Sequence, residues 1–315
     1  MKIGEEIKQK EDDEYKRQST TLLIAFILLL GVGLAGSGCI ENQEDHQIDA
    51  HVWMSPKNVE MMIDNFVPMF NEARQDADEE VMVAVSIPPQ VEWVEEIGGE
   101  KVEVVVMIPP GEDPHTYEPT PSQMQKLGEA DIYFKVGSGL EFEERWMDEM
   151  KDQNPDMKVV DGSEGIDLLR FDDDHEQENH ALLSEKIDGE EESYKSKLQN
   201  LHHNLTESFE PHQGRKFLIY HPSLGYFADE YGLKQIAVEA EGKEPGPKDI
   251  EKIIEEAKEE GILVVFISPQ FDEDQAESIA EEIDGEVITV DSLAEDYLDN
   301  IEKIAEALIY GFEKA

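Results

Sequence analysis

Four residues of metal-binding types stand where strands are predicted to end or a helix to begin. They are His51, His115, His221 and Asp291. Three of them follow or end predicted strands, and His51, in DAHVWMSPKN, directly precedes a predicted helix. Imidazole nitrogens together with a carboxylate oxygen suit a borderline divalent cation such as zinc. Functional residues collect at the carboxyl ends of parallel strands, so one cleft could hold all four side chains.

The spacing of these residues does not by itself define a site. They are separated by 64, 106 and 70 residues, so no local motif joins them. A single histidine at a strand end is more often a hydrogen-bonded structural residue than a ligand, and Asp291 stands where it can cap the next helix. Spacing alone leaves a metal site and four separate structural residues both open.

The loop that carries His115 is predicted to be rigid. In GEDPHTYEPTP (residues 111–121), Pro114 and Pro121 each fix the backbone φ angle and remove an amide donor. The segment can neither continue a helix nor pair inside a sheet. It therefore displays His115 on a loop that either is merely stiff or holds a ligand.

Short, continuously apolar runs alternate with helical periodicity along the chain, which predicts parallel strands covered on both faces. The predicted strands are 81–87, 101–108, 131–137, 157–163, 215–221, 234–240, 262–268 and 286–291. A long helical stretch over 181–210 separates the first four from the last four. The predicted fold class is α/β, with two lobes, each a mainly parallel sheet covered by helices, joined by a long linker helix.

The chain is strongly acidic. It has 315 residues, 75 Asp and Glu against 26 Lys and Arg, and a formal net charge of −49. The acidic residues are spread along the whole length, which indicates a solvated surface of the kind tolerated at high salt. Such a charge repels nucleic acid and makes cations the natural ligands.

Residues 20–39, TTLLIAFILLLGVGLAGSGC, form an apolar run that ends in small residues and the single cysteine, Cys39. This is typical of a lipoprotein signal, in which the cysteine becomes the lipid-bearing first residue. The preceding segment holds five basic and six acidic residues instead of being clearly positive, so an uncleaved membrane anchor is the alternative. Both interpretations predict a protein outside the cytoplasm, anchored to the outer face of the cell membrane.

Several segments together resemble one family. VAVSIPPQVEWVEEIGG, PPGEDPHTYEPTPSQMQKL, FLIYHPSLGYFADEYGL, EGKEPGPKDI, ISPQF and DSLAEDYLDNI are similar to segments of the zinc/manganese solute-binding lipoproteins of ABC transporters, the ZnuA/TroA-like family. The resemblance covers most of residues 45–315. It implies a monomer with two α/β lobes, one divalent transition metal bound between them, and delivery of that metal to an ABC permease and its ATPase.

The resemblance also implies the ligands. The histidines of two family motifs map onto His115 and His51, and the acidic residue after the last strand maps onto Asp291. His221 stands where zinc-type members have His and manganese-type members often have Glu. Three imidazoles and a carboxylate favour Zn²⁺, with Mn²⁺ as the alternative. The acidic loop 171–180, which contains His175 and His180, is either an accessory metal collector or a solvated loop.

The order of the segments departs from the family. The HVW motif and its helix normally follow the strands of the first lobe, whereas here they precede them. Residues 72–80 can span at most about 30 Å, enough to return the chain across one small lobe. We expect His51 to reach the site if the apolar face of its helix packs on the first lobe. If it does not, the site has three protein ligands plus water.

The predicted organisation has six parts. They are a signal segment (1–39), a tether (40–48), the displaced HVW segment (49–80), an N-terminal lobe (81–185), a linker helix (186–213) and a C-terminal lobe (214–315). The predicted function is metal capture without catalysis. A zinc-dependent hydrolase and a surface adhesin are the alternatives. A hydrolase needs a general base, and the motif carboxylates closest to His115, Asp113 and Glu118, are expected to form the loop.

Overall fold

The first lobe is organised around a sheet of four parallel strands. The structure is a computed structural model that describes residues 48–76, 80–170, 190–239 and 245–314. The strands are β1 (Val81–Val85), β2 (Val102–Val106), β3 (Ile132–Lys135) and β4 (Lys158–Asp161), in the order β2-β1-β3-β4. The helices of this lobe are α1 (Pro56–Asp76), α2 (Pro89–Gly98), α3 (Pro121–Leu127) and α4 (Glu141–Gln153).

The second lobe repeats this pattern. Its strands are β5 (Lys216–Ile219), β6 (Lys234–Ala237), β7 (Val264–Ile267) and β8 (Glu286–Thr289), all parallel and in the order β6-β5-β7-β8. Its helices are α6 (Gly225–Glu230), α7 (Pro247–Glu260), α8 (Asp274–Glu282) and α9 (Tyr297–Lys314). The two sheets confirm the predicted fold class. All eight strands are shorter than predicted because the apolar runs continue into the loops beyond the strand ends.

A long helix, α5 (Glu190–Phe209), lies between the two sheets in the chain and contacts both lobes. Its buried apolar residues recur every three or four positions and so form one face; they are Tyr194, Leu198, Leu201, Leu205 and Phe209. The helix packs against α1 and α2 of the first lobe and α9 of the second. The first residues of the predicted linker, 186–189, lie outside the described residues.

Helix α1 packs on the first sheet through the face that the sequence predicts. Val59, Met62, Ile63, Phe66 and Phe70 are buried, and the Phe66 ring stacks on Phe134 of β3 with 4.8 Å between ring centroids. The helix face that carries these residues therefore forms part of the core of the first lobe.

A proline inside a helix is expected to kink or end it, yet α1 contains Pro68 and continues to Asp76. Pro68 and Asp64, whose carbonyl loses its helical partner, both lie on the exposed face, where water can satisfy that carbonyl.

The start of the displaced segment lies beside the end of the first lobe. Ile48 forms an antiparallel bridge with Arg170, and the Asp49 amide donates to the Leu169 carbonyl at 2.9 Å. In the family order, the HVW motif would follow close to this point of the chain. The segment therefore occupies a position next to its expected neighbour, although it is connected through the other end of its helix.

One hydrophobic core extends through both lobes, and a smaller cluster covers the other face of the second sheet. Within the described ranges, no helix combines the length and the apolarity needed to cross a bilayer. The apolar run 20–39, Cys39 and the loop with His175 and His180 lie outside the described residues, so the interpretations of these segments stay predictions.

Replacing Phe66 with Ala tests whether α1 is docked. We expect a loss of about 3–5 kcal/mol in the free energy of unfolding, because a fully buried ring that stacks on Phe134 is removed. Urea unfolding followed by circular dichroism measures this loss. Met61→Ala, on the exposed face of the same helix, is the matched control and should stay within about 0.5 kcal/mol. Equal stability of the two variants would contradict the docking.

Candidate metal centre

The loop between β2 and α3 holds the backbone of His115 from two sides. Asp113 accepts the His115 amide with one carboxylate oxygen and the Thr116 hydroxyl with the other, both at 2.9 Å. From α4, Arg145 donates to the His115 carbonyl at 2.8 Å. The proline-flanked loop is therefore fixed in place as well as stiff, and its histidine faces the second lobe.

Three imidazoles, from both halves of the fold, line one cleft. His221 directly follows β5, and its Nε2 lies 3.3 Å from the Nε2 of His115. His51 precedes the turn Val52–Met54, and its ring centroid is 5.2 Å from that of His221. His51 and His221 are 7% and 6% exposed. The cleft has about 310 Å³ of space, part of it open to solvent.

Each of the three rings is held by a carboxylate at Nδ1. The pairs are His51 with Asp49 at 2.8 Å, His115 with Glu141 at 2.9 Å, and His221 with Glu239 at 3.2 Å. A carboxylate at Nδ1 favours the tautomer with its proton on that nitrogen, which leaves the Nε2 lone pair for a cation. Carboxylate–histidine pairs of this kind are the usual support of metal-binding imidazoles.

The separation of the His115 and His221 Nε2 atoms agrees with shared coordination. Two zinc–nitrogen bonds of about 2.0–2.1 Å at a tetrahedral angle place their nitrogens about 3.3–3.4 Å apart. Two unprotonated nitrogens that face each other at 3.3 Å need a proton or a cation between them. The donor set therefore fits a borderline divalent metal.

Asp291 lies at the edge of the cleft instead of in its lining. Its Oδ1 accepts the Leu293 amide at 2.9 Å and the Gln270 side-chain amide at 3.2 Å. Gln270, Ser292 and Leu293 do line the cleft. Among the described residues, no group of three or more His, Cys, Asp or Glu side chains is placed so that it could hold a metal ion as it stands. The structure thus brings the three histidines together and leaves Asp291 beside them.

The charges around the cleft act differently on two of the rings. Burial alone would lower the pKa of His115, but the hydrogen bond and charge of Glu141, with Asp113 and Glu239, outweigh burial and raise this pKa. The pKa of His221 is lowered, first by burial and then by the neighbouring His51 and His115, against the effect of Glu239. His221 is therefore kept neutral, as a metal ligand requires.

Trp53 of the displaced segment joins the two lobes. Its buried indole Nε1 donates to the Ser292 carbonyl at 2.8 Å, and its own carbonyl accepts the Tyr297 hydroxyl at 2.7 Å. Nearby, a Cβ on Gly225 would lie 2.2 Å from Asp49 Oδ2, so only glycine permits this close approach. The segment that carries His51 is consequently positioned by contacts with both lobes.

Sequence reasoning missed the three carboxylates at Nδ1. Asp49 stands two residues before His51, Glu141 begins α4, and Glu239 follows β6 closely. Their positions beside strand or helix ends are a signal, but the abundance of acidic residues along the chain hides it.

The comparison with protein-family profiles decides the family. The profile described as zinc-uptake complex component A, periplasmic (ZnuA), matches residues 83–188 and 183–311. The chain belongs to the ZnuA family. This confirms the resemblance found in the sequence. The match begins after the segment that carries His51 and α1.

Some relatives that are similar to this chain are named for manganese and others for zinc. The manganese-binding lipoprotein MntA of Halalkalibacterium halodurans is 27% identical over 70% of this chain and 85% of that protein. The high-affinity zinc uptake system protein ZnuA of Bacillus subtilis is 24% identical over 67% of this chain and 78% of that protein.

Solved structures agree with the fold. A crystal structure of ZnuA superposes with a TM-score of 0.66 at 32% identity and covers 74% of this chain and 99% of that one. The periplasmic zinc-binding protein TroA from Treponema pallidum, at 15% identity and a TM-score of 0.60, covers the same shares and shows the fold alone.

The two pKa shifts predict different titrations in the metal-free protein. His115 should titrate above the ordinary value of about 6.5 and His221 below it, as read from imidazole signals in NMR spectra. Protonated His115 then stabilises the fold at low pH, and this stabilisation is lost as the pH rises through its folded pKa. His221 has the opposite sign, because the unfolded chain binds its proton first as the pH falls.

Glu141→Gln should lower the pKa of His115, because burial lowers this pKa and the substitution removes the carboxylate charge that opposes burial. Glu207→Gln, beside the exposed His203, is the matched control and should leave His115 unchanged. A wild-type His115 that titrates at or below the ordinary value would contradict the assigned role of Glu141.

Proposed function

We propose that this chain captures one divalent transition metal, zinc in the first place, between its two lobes and delivers it to an ABC permease and its ATPase. One observation carries the proposal: His51, His115 and His221 line one cleft, each with a carboxylate at Nδ1. Asp291 is the proposed fourth ligand. Because the ligands come from both lobes, a bound ion would hold the cleft closed.

The ligand types favour zinc over manganese. Three imidazole nitrogens suit zinc in tetrahedral geometry, whereas manganese prefers more oxygen ligands. Manganese capture is the alternative within the same family, since relatives with either metal in their names match this chain. Capture of either ion requires neutral imidazoles, so binding should weaken in acid.

The surroundings of the rings support binding over catalysis. A catalytic zinc needs an open coordination position and a nearby general base. Asp49, Glu141 and Glu239, the carboxylates beside the three rings, each contact an Nδ1 atom. Carboxylates engaged in this way orient ligands instead of activating water, which supports metal capture over a hydrolase.

We further propose an extracytoplasmic monomer that is anchored through a lipid on Cys39. Support comes from the apolar run that ends at Cys39 and from the lipoprotein names among its relatives. The net charge of −49 adds a general attraction for cations near the cleft and excludes nucleic acid as a partner.

Replacing His51 with Ala tests whether the segment before the first strand, whose place in the chain is unusual, supplies a metal ligand. Wild-type protein purified without added metal should bind one zinc ion per chain in a competition titration with a chromogenic chelator. His51→Ala should weaken zinc binding by more than about 100-fold, because even the loss of a residue that only supports a ligand costs about 10–100-fold.

His203→Ala removes an exposed histidine of α5 and should bind zinc as the wild type does. If His51→Ala kept the wild-type affinity, the displaced segment would not supply a ligand. If the wild-type protein bound no zinc or manganese in this titration, the proposed function itself would be wrong.

A further inference from the structure

The carboxylate of Asp291 has one oxygen committed to hydrogen bonds. The Leu293 amide and the Gln270 side-chain amide both donate to Oδ1, at 2.9 Å and 3.2 Å. The Leu293 contact is a local turn and the Gln270 contact comes from a different loop, so the two donors together fix the rotation of the carboxylate. Within the described residues no hydrogen bond to Oδ2 is present, which leaves this oxygen to face an ion.

Gln270 is itself held close to the cleft. It lies in the turn after β7, where the Phe271 amide donates to the Ser268 carbonyl at 3.1 Å. Ser268 is buried, and the Phe271 ring stacks on His221 with 4.9 Å between ring centroids. Ser268 and Phe271, which lie on either side of the Pro269-Gln270 pair in this turn, are therefore packed at the site, which gives the Gln270 side-chain amide a defined position relative to Asp291.

We propose that Gln270 is a positioning residue that restricts Asp291 to coordination through one oxygen and thereby raises the preference for zinc over manganese. The inference rests on the proposed function, since it concerns the fourth ligand of that site. Three imidazoles and one oxygen make a four-coordinate ion, which suits zinc. A carboxylate free to chelate with both oxygens would add a fifth ligand and favour a metal that prefers oxygen, such as manganese.

Gln270→Leu removes the donor and keeps a side chain of similar size. We expect zinc affinity to fall about tenfold or more, as for other residues that orient a metal ligand, and manganese affinity to stay level or rise. Competition titrations with each metal measure the ratio. Co²⁺ in place of zinc reports the coordination number, because four-coordinate Co²⁺ absorbs visible light much more strongly than five-coordinate Co²⁺. The intense visible bands of the wild type should weaken in the variant.

Gln199→Leu is the matched control. Gln199 also donates its side-chain amide to a carboxylate, that of Glu60 at 2.7 Å, but on α5 instead of at the cleft. This variant should keep the wild-type zinc-to-manganese ratio and cobalt spectrum. In the Asp291→Asn background, Gln270→Leu should change neither quantity further, because Gln270 acts through the Asp291 carboxylate.

The outcomes separate the inference from the proposed function. If the wild type binds zinc and shows the four-coordinate cobalt spectrum, and Gln270→Leu changes neither this spectrum nor the metal ratio, the role of Gln270 is wrong and metal capture stands. An equal effect of Gln270→Leu with and without the Asp291 carboxylate would also overturn the inference. A wild type that binds none of the three metals would overturn both.

Discussion

The contact between each ring Nδ1 and a carboxylate is the interaction on which the proposed metal centre depends. An imidazole alone can rotate and can carry its proton on either nitrogen. Asp49, Glu141 and Glu239 remove this freedom at His51, His115 and His221, respectively. The Nε2 lone pairs are then available in one cleft, and the cost of orienting the ligands is met during folding instead of during metal binding.

Non-covalent contacts, more than the order of the chain, place His51. Its segment comes before the first strand, yet Asp49 pairs with the backbone of Leu169, and the Trp53 indole is bonded to the second lobe. The buried face of α1 adds the packing that holds the segment on the first sheet. Because these contacts are non-covalent, the segment can be connected through either end and still present the same histidine.

The sequence pattern allowed the fold to be predicted, whereas the meeting of the three rings was expected only from the resemblance to the family. Continuous apolar runs indicate buried parallel strands, and residues at their carboxyl ends, such as His221, face the cleft. The carboxylates at Nδ1 could not be predicted, since 75 acidic residues make any one of them unremarkable by type. Their roles depend on distances between loops, which no local pattern encodes. The continuation of α1 past Pro68 could not be predicted either, because only the structure shows that Pro68 lies on the solvent side.

A crystal structure of the zinc-loaded protein, with the ion located by its anomalous scattering, tests the central claim most directly. The account predicts one zinc ion between the lobes, bonded at about 2.0–2.2 Å to Nε2 of His51, His115 and His221 and to one oxygen of Asp291, with the three Nδ1 contacts retained. Zinc bound elsewhere on the chain, or a cleft in which the three rings turn away from one another around no ion, would contradict it.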